Sequence, residues 1–248
     1  MIKVEKLSYN VEEVKILEDI SLGVCKNKFV GIIGANGCGK STLLKNIYGV
    51  LKNHKGVVKI ENIDKNNYTP KELAKKIAVL SQKQGLNFDF TVREVVEMGR
   101  YAHQKSVFKR RKEKIIDEAI EKVGLSHLEN RSLLSLSGGE IQRIFIARAI
   151  AQDSEIFILD EPTNHLDIKY QLEVMKIIKE MGKTVLAVIH DMNIASMYCD
   201  YVYGMKRGKI IEKGEVKEIF TKERIRNIFD VECEVIPHPI NRRPVIIF

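Results

Sequence analysis

Residues 29–42 read Phe29-Val-Gly-Ile-Ile-Gly-Ala-Asn-Gly-Cys-Gly-Lys-Ser-Thr42, an apolar run that stops at a glycine-rich turn and restarts as a helix. Gly34, Gly37 and Gly39 can adopt tight or left-handed dihedrals, so successive N–H groups converge on one small volume. Asn36 and Cys38 sit between them, in a loop whose backbone does the binding. A thiol at a helix start is also a candidate for redox chemistry. The helix opening near Lys40 adds its unpaired amides and positive end to the same spot. Lys40 can reach the β- and γ-phosphates of a nucleotide, and the Ser41 hydroxyl can ligate Mg²⁺. Thr42 carries the helix on, and Gly49 is placed to end it. Such a stretch is a phosphate cradle. It fixes the ligand class and leaves open what the nucleotide's energy is used for.

The remaining chain bounds that use. With 248 residues, 44% of them hydrophobic and 30% charged, it can bury a large core as one domain with a subdomain. No apolar run approaches the roughly 18 residues of a spanning helix, and MIKVEKLSYN has no signal-peptide core, so the expected place is the cytosol. Docking onto a membrane protein stays open. Cys25, Cys38, Cys199 and Cys233 are scattered without a CxxC pair, which argues against a disulfide framework or a cysteine zinc site. A formal charge of +8 favours anionic partners. Its sharpest cluster, KSVFKRRKEK at 105–114, reads as an exposed loop and helix start, with a membrane-facing surface as the alternative. It lacks the interleaved aromatics of a nucleic-acid groove, so no specific nucleic acid is expected.

Short alternating runs at 1–30 and 56–60 suggest strands around the cradle. A short helix and an apolar strand follow at 71–80, and residues 91–123 carry apolar positions spaced for one helical face. Another helix spans 140–151. The apolar run 155–159 then reads as a buried strand ending in Asp160-Glu161-Pro162. A helix at 168–181, a strand at 184–190, a helix at 191–198, a hairpin at 201–214 and a final strand pair across a Pro/Asn-rich turn complete the chain. Strands alternating with helices predict an α/β fold with a mostly parallel core sheet and a helical subdomain inserted at about 91–150. Residues 225–248 form a short C-terminal extension.

Open parallel sheets bind ligands beyond the carboxyl ends of their strands. Gln82, Asp160-Glu161 and His190 each follow an apolar run. Asp160 is placed to hold the metal or its water, and Glu161 to orient or deprotonate water attacking the γ-phosphate. His190 could hydrogen-bond that phosphate; a structural histidine at a strand end is the other reading. Gln82 could complete the Mg²⁺ shell. Tyr9 is either an adenine-stacking ring or core. At 136–140 the chain reads Leu-Ser-Gly-Gly-Glu, where Ser137, Gly138, Gly139 and Glu140 open a helix and make a second anion-binding amide cluster. One phosphate cradle does not need a second cluster.

These motifs in this order resemble the ATP-binding subunits of ATP-binding-cassette (ABC) transporters over essentially the whole length, 1–248. The resemblance makes GANGCGKST at 34–42 the Walker A motif, Gln82 the Q-loop glutamine and LSGGE the signature. IFILDE at 156–161 becomes Walker B, NHLD at 164–167 the D-loop and His190 the switch histidine. It implies a P-loop ABC ATPase fold with an N-terminal antiparallel β subdomain. ATP and Mg²⁺ are the implied cofactors, with Tyr9 on the adenine. Two copies are implied to pair head to tail, each ATP lying between one cradle and the other's signature, with Asp167 at the interface.

QKQGLNFDFTVREVVEMGRYAH at 82–103, DEPTNHLDIKYQLEVM at 160–175 and the ending HPINRRPVIIF are similar to importers of iron-siderophores, heme and cobalamin. A permease would dock beside the Q-loop, in a groove near 82–103 drawing on Leu86, Phe88, Phe90, Val95, Met98 and Tyr101. The cassette would then lie at the cytoplasmic face of the membrane, with a substrate-binding protein as an indirect partner. The alternatives are a soluble cassette of iron–sulfur cluster assembly, or an importer of free ions such as zinc or manganese.

Overall fold

Alternation of burial decides how the N-terminal strands lie. β1 (Ile2–Val11) buries Ile2, Val4 and Leu7, and β2 (Val14–Val24) buries Leu17, Ile20, Leu22 and Val24. Each therefore turns one face to a core and one to solvent. β3 (Phe29–Gly34) is buried at every position, as a central strand covered on both faces should be. α1 (Lys40–Ile47) follows it. β4 (Lys55–Ile60) and β5 (Ile63–Asp64) then extend the antiparallel sheet, in the order β2-β1-β4-β5. The computed structural model describes residues 1–52, 55–81, 89–103, 109–164 and 166–248.

The chain divides into two compact units, one of Met1–Asn67 with Gly182–Phe248 and the other of Tyr68–Met181. The second unit runs α2 (Pro70–Lys76), β6 (Ile77–Leu80), α3 (Val92–Met98), α4 (Lys109–Lys122), α5 (Gly138–Ala151), β7 (Ile156–Asp160) and α6 (Ile168–Glu180). β6 and β7 are parallel, from Ile77 opposite Ile156 to Leu80 opposite Leu159. Threonine or serine paired with glutamate three residues on caps α2, α3 and α5 (Thr69/Glu72, Thr91/Glu94, Ser137/Glu140).

The apolar spacing at 91–123 does not make one helix. The amides of Gly99 and Arg100 bond back to Val96 and Glu97, which tightens the end of α3, and a single 3₁₀ turn follows at Tyr101–His103. At that stop the packing is close enough to require glycine, because a Cβ on Gly99 would lie 2.3 Å from the Arg148 carbonyl oxygen of α5. Arg93 ties α3 to its neighbours, bonding Glu113 at 2.9 Å, Asp117 at 2.7 Å and Glu129 at 3.1 Å. Three carboxylates around one guanidinium raise its already high pKa further.

The first unit resumes with β8 (Thr184–Val188), α7 (Met192–Tyr198), β9 (Tyr201–Lys206), β10 (Lys209–Glu215), α8 (Val216–Ile219), α9 (Lys222–Phe229), β11 (Glu234–Pro237) and β12 (Pro244–Ile247). β3 lies between β8 and β9, parallel to both, and β10 pairs antiparallel with β9. The parallel pairs, the antiparallel N-terminal sheet and the helical segment match the α/β organisation expected from the sequence, and β11–β12 form the expected terminal strand pair. α8 and α9 were not among the expected elements. α9 is capped by Thr221, buries Ile225 and Ile228, and ends on Asp230 in the left-handed region.

Phe145, only 1% exposed in α5, is among the largest buried side chains. Phe145→Ala is expected to lower the unfolding free energy by about 3–5 kcal/mol. Urea denaturation at unchanged m-value is the measurement.

Candidate functional site

The cradle forms where β3 gives way to α1, and its shape comes from contacts that leave no room for side chains. A Cβ on Gly34 (φ 152°) would sit 2.2 Å from the Met205 carbonyl oxygen. One on Gly39 (φ 103°) would sit 2.9 Å from Leu17 Cδ2 and 3.0 Å from the Ile16 carbonyl oxygen. Because Gly39 is the N-cap, no side chain caps α1, and its first turn holds no acidic residue. The positive end of the helix is therefore available to an anion.

Lys40 is 5% exposed, and its Nζ donates to the carbonyls of Gly34 at 2.7 Å and Ala35 at 2.9 Å, so the ammonium lies folded against the loop. Ala35, Asn36 and Gly37 are exposed, while Ser41 and Thr42 are half-buried on the helix. The Gly208 amide donates to the Cys38 carbonyl at 3.0 Å, bracing the loop from the β9–β10 turn. Cys38 itself is buried, and burial pushes its thiol pKa up against the smaller opposing pull of Lys40. That is the reverse of a redox-active cysteine.

Two further residues of this unit come to the cradle. The Ile189 amide donates to the Ile32 carbonyl at 3.1 Å, so the chain leaving β8 runs beside the strand that enters the loop and delivers an exposed His190 there. Tyr9 is half-buried and pairs in register with Leu17, the residue that also touches Gly39. Cradle, Tyr9 and His190 thus belong to one neighbourhood.

In the second unit, β7 is buried throughout and ends on Asp160, 3% exposed. Glu161 follows at φ 54°, an uncommon conformation for a side-chain-bearing residue. Its Oε2 accepts from Asn164 Nδ2 at 2.8 Å, and its carbonyl accepts from the Asn164 amide at 3.2 Å. Asn164 therefore orients Glu161, a role the sequence reading did not assign. Gln142 was also unassigned, and it donates to the Pro162 carbonyl at 3.0 Å, linking the signature helix to the turn after β7. Gln171 of α6 donates to the carbonyls of Thr163 and Leu166, and Asp167 is exposed at the start of that helix.

Ser137, Gly138, Gly139 and Glu140 open α5. The Ser137 hydroxyl donates to Glu140 Oε2 at 2.7 Å and accepts from the Glu140 amide. Gly139 packs against Leu166 and Tyr170, so signature and D-loop adjoin. Gln82 lies outside the described residues, as do Leu86 and Phe88 of the expected groove. Among the described residues no group of three or more His, Cys, Asp or Glu side chains is arranged to hold a metal. Ser41 and Asp160 are the expected metal-site residues that are described, one in each unit.

The Ser137 hydroxyl, and after it the Ser137 amide, hold the Glu140 carboxyl below the usual carboxylate range. The stability this gives is complete above the unfolded value of about 4.3 and is lost as pH falls through the lowered folded value. Melting curves from pH 7 to pH 3 should show the Tm gap between the protein and Glu140→Gln closing on the acid side. For Cys38, alkylation at pH 8 followed by mass spectrometry should run at least about tenfold slower than at exposed Cys25.

Comparison with known proteins shows the family. Residues 17–164 match the family model described as "ABC transporter". The chain is 35% identical to the iron(3+)-hydroxamate import ATP-binding protein FhuC of Bacillus subtilis (strain 168), over 97% of this chain and 92% of that one. It is 35% identical to the ferric enterobactin transport ATP-binding protein FepC of Escherichia coli (strain K12), over 98% and 92%. With the hemin import ATP-binding protein HmuV of Bradyrhizobium diazoefficiens it shares 37% identity over 95% and 90%. A solved ABC transporter described as metal-chelate type, in an inward-facing conformation, superposes with a TM-score of 0.84 at 25% identity, covering 99% of this chain and 96% of that one. The dimeric cassette MJ0796 bound to ADP and Pi gives a TM-score of 0.78 at 30% identity, over 87% and 98%. The chain belongs to the ABC transporter family, as an ATP-binding subunit with the P-loop ABC ATPase fold.

Proposed function

We propose that this chain hydrolyses ATP to drive import of a metal chelate, of the iron-siderophore, heme or cobalamin kind, through a membrane permease. The observation that carries the reading is the end-to-end likeness to FhuC, FepC and HmuV, which spans at least 95% of this chain. It favours import over the cluster-assembly alternative.

Catalysis on this reading needs two copies. The cradle at 34–42 binds the phosphates of one ATP, Tyr9 stacks on its adenine, and Ser137, Gly138 and Gly139 of the second copy close over the γ-phosphate. A head-to-tail pair of this kind is two-fold symmetric and holds two nucleotides. Exposed Asp167 and Ile168, the latter 75% exposed, and Leu134 at 73% flank the signature and D-loop, as a surface awaiting a partner would.

Lys40 exchanges its loop carbonyls for phosphate oxygens when nucleotide arrives. Ser41, Asp160 and Gln82 are the residues that would hold Mg²⁺, whose charge neutralises the phosphates. Glu161, fixed by Asn164, orients the attacking water and accepts its proton, and His190 donates to the γ-phosphate. ATP favours the closed pair by differential binding, and loss of the bridging phosphate releases it.

For the permease, α2 and the end of α3 border a groove of about 280 Å³ lined in part by Ala74, Met98, Tyr101 and Gln152. Tyr101 is 71% exposed and suits a contact there. Val95, expected to contribute, is fully buried and belongs to the core instead.

Glu161→Gln should keep ATP binding, trap an ATP-dependent dimer on size exclusion, and slow turnover at least about 100-fold. Turnover near the normal rate would overturn the role of Glu161. Affinity capture of the chain from membranes should recover a multi-span permease, and recovery of a soluble assembly complex alone would overturn import.

A further inference from the structure

His190 occupies a short passage between two anchors. Upstream, β8 ends at Val188 and the Ile189 amide makes its bond to Ile32. Downstream, Asp191 caps α7, its Oδ1 accepting from the Ile194 amide at 2.9 Å. The position of His190 thus depends on where α7 sits. α7 has seven residues, about half the length at which an isolated helix becomes even marginal in water. Its place must come from what it is fastened to.

The C-terminal hairpin supplies three polar fastenings along α7. Near the start of the helix, Asn193 makes a two-point clamp on the backbone of β12, donating to the Ile246 carbonyl at 3.1 Å and accepting from the Ile246 amide at 2.8 Å. In the middle, the buried Ser196 hydroxyl donates to the Pro244 carbonyl at 2.5 Å. At the end, Arg243 Nη1 donates to the carbonyls of Ser196 at 2.5 Å and Cys199 at 2.9 Å. These carbonyls terminate the helix and carry the negative end of its dipole, so a guanidinium there satisfies both needs.

The turn that presents Arg243 is itself ordered. His238 Nδ1 accepts from the Ile240 amide at 3.2 Å, and the Asn241 side chain accepts from the Arg243 amide at 3.0 Å. The hairpin is not packed flush. A cavity of about 270 Å³ remains beside Ser196, Met197, His238 and Arg243. Ile246 is buried, and the polar fastenings specify which residue of the hairpin meets which residue of the helix.

We propose that the C-terminal hairpin, Glu234–Ile247, is a clamp that sets the position of His190 through α7, with Arg243 and Asn193 as positioning residues for ATP turnover. Both act through the backbone they hold, Asn193 on Ile246 and Arg243 on Ser196 and Cys199. This inference rests on the reading of His190 as a γ-phosphate donor, and it gives the ending HPINRRPVIIF a function within the ATPase itself.

The test is a kinetic cycle on the purified chain with Arg243→Ala, Asn193→Ala, His190→Ala and the double variants with His190→Ala. Each clamp variant should lower kcat about tenfold, as a small misplacement of a catalytic group does, with KM for ATP within about twofold. On the His190→Ala background the same changes should cost less than about twofold more, because the group they position is gone. Arg243→Lys, which keeps a donor for one carbonyl, should recover part of the loss.

His190→Ala with unchanged kcat would overturn the reading of His190 and the clamp with it. If His190→Ala lowers kcat while Arg243→Ala and Asn193→Ala leave it intact, or if their losses add fully to that of His190→Ala, the clamp alone is overturned. Should Arg243→Ala melt at the assay temperature, Asn193→Ala, which removes two hydrogen bonds at an exposed position, is judged by the same criteria.

Discussion

The backbone of the phosphate loop is pressed between the Met205 carbonyl on one side and Ile16 and Leu17 on the other, with no space for a Cβ at Gly34 or Gly39. Much of the first unit is arranged around that contact. It brings the antiparallel sheet up to the loop through β2 and brings β9 and the β9–β10 turn against it. α1 must then begin on a residue that offers no cap. With glycine in place of a side-chain cap, the helix gives up roughly a few tenths of a kcal/mol of local stability. Here the same absence leaves its amides facing the ligand. The cradle is thus a place where local helix stability is traded for anion binding, and burial of Leu43, Leu44 and Ile47 behind it offsets the loss.

The fold was legible where local chemistry and periodicity agreed. The mostly apolar runs of β3, β7 and β8 and the alternation in β1 and β2 announce their environments directly. The segment 91–123 was less legible, since its apolar spacing continues past Met98 while the chain does not. α3 ends in tightened bonds from the Gly99 and Arg100 amides to Val96 and Glu97, at a glycine held against the Arg148 carbonyl of α5, a partner about fifty residues away that periodicity does not register. The same holds for Val95, which as one more apolar residue in a suspected groove could only be assigned to the core once its neighbours were known.

Site residues divide in a similar way. Loop glycines, Lys40, Asp160 and Glu161 could be put forward as candidates from the sequence because each motif carries its own reason. Asn164, Gln142 and Gln171 act by bonding main-chain or side-chain groups of the motif residues. Polar residues of such types are common on helices and turns, and their spacing holds no sign of which carbonyl they will meet. The fastenings of the C-terminal hairpin on α7 were hidden for the same reason, although the ending itself stood out as a shared sequence.

The left-handed backbone at Glu161 limits which residues the position can accept. β-Branched side chains are strongly disfavoured there, whereas aspartate and asparagine visit this region more readily than most. Conformation alone would thus admit the exchange Glu161→Asp. The shorter carboxylate would stop one methylene short and lose its reach toward Asn164. The length of the side chain, more than its comfort on the backbone, is what this turn selects.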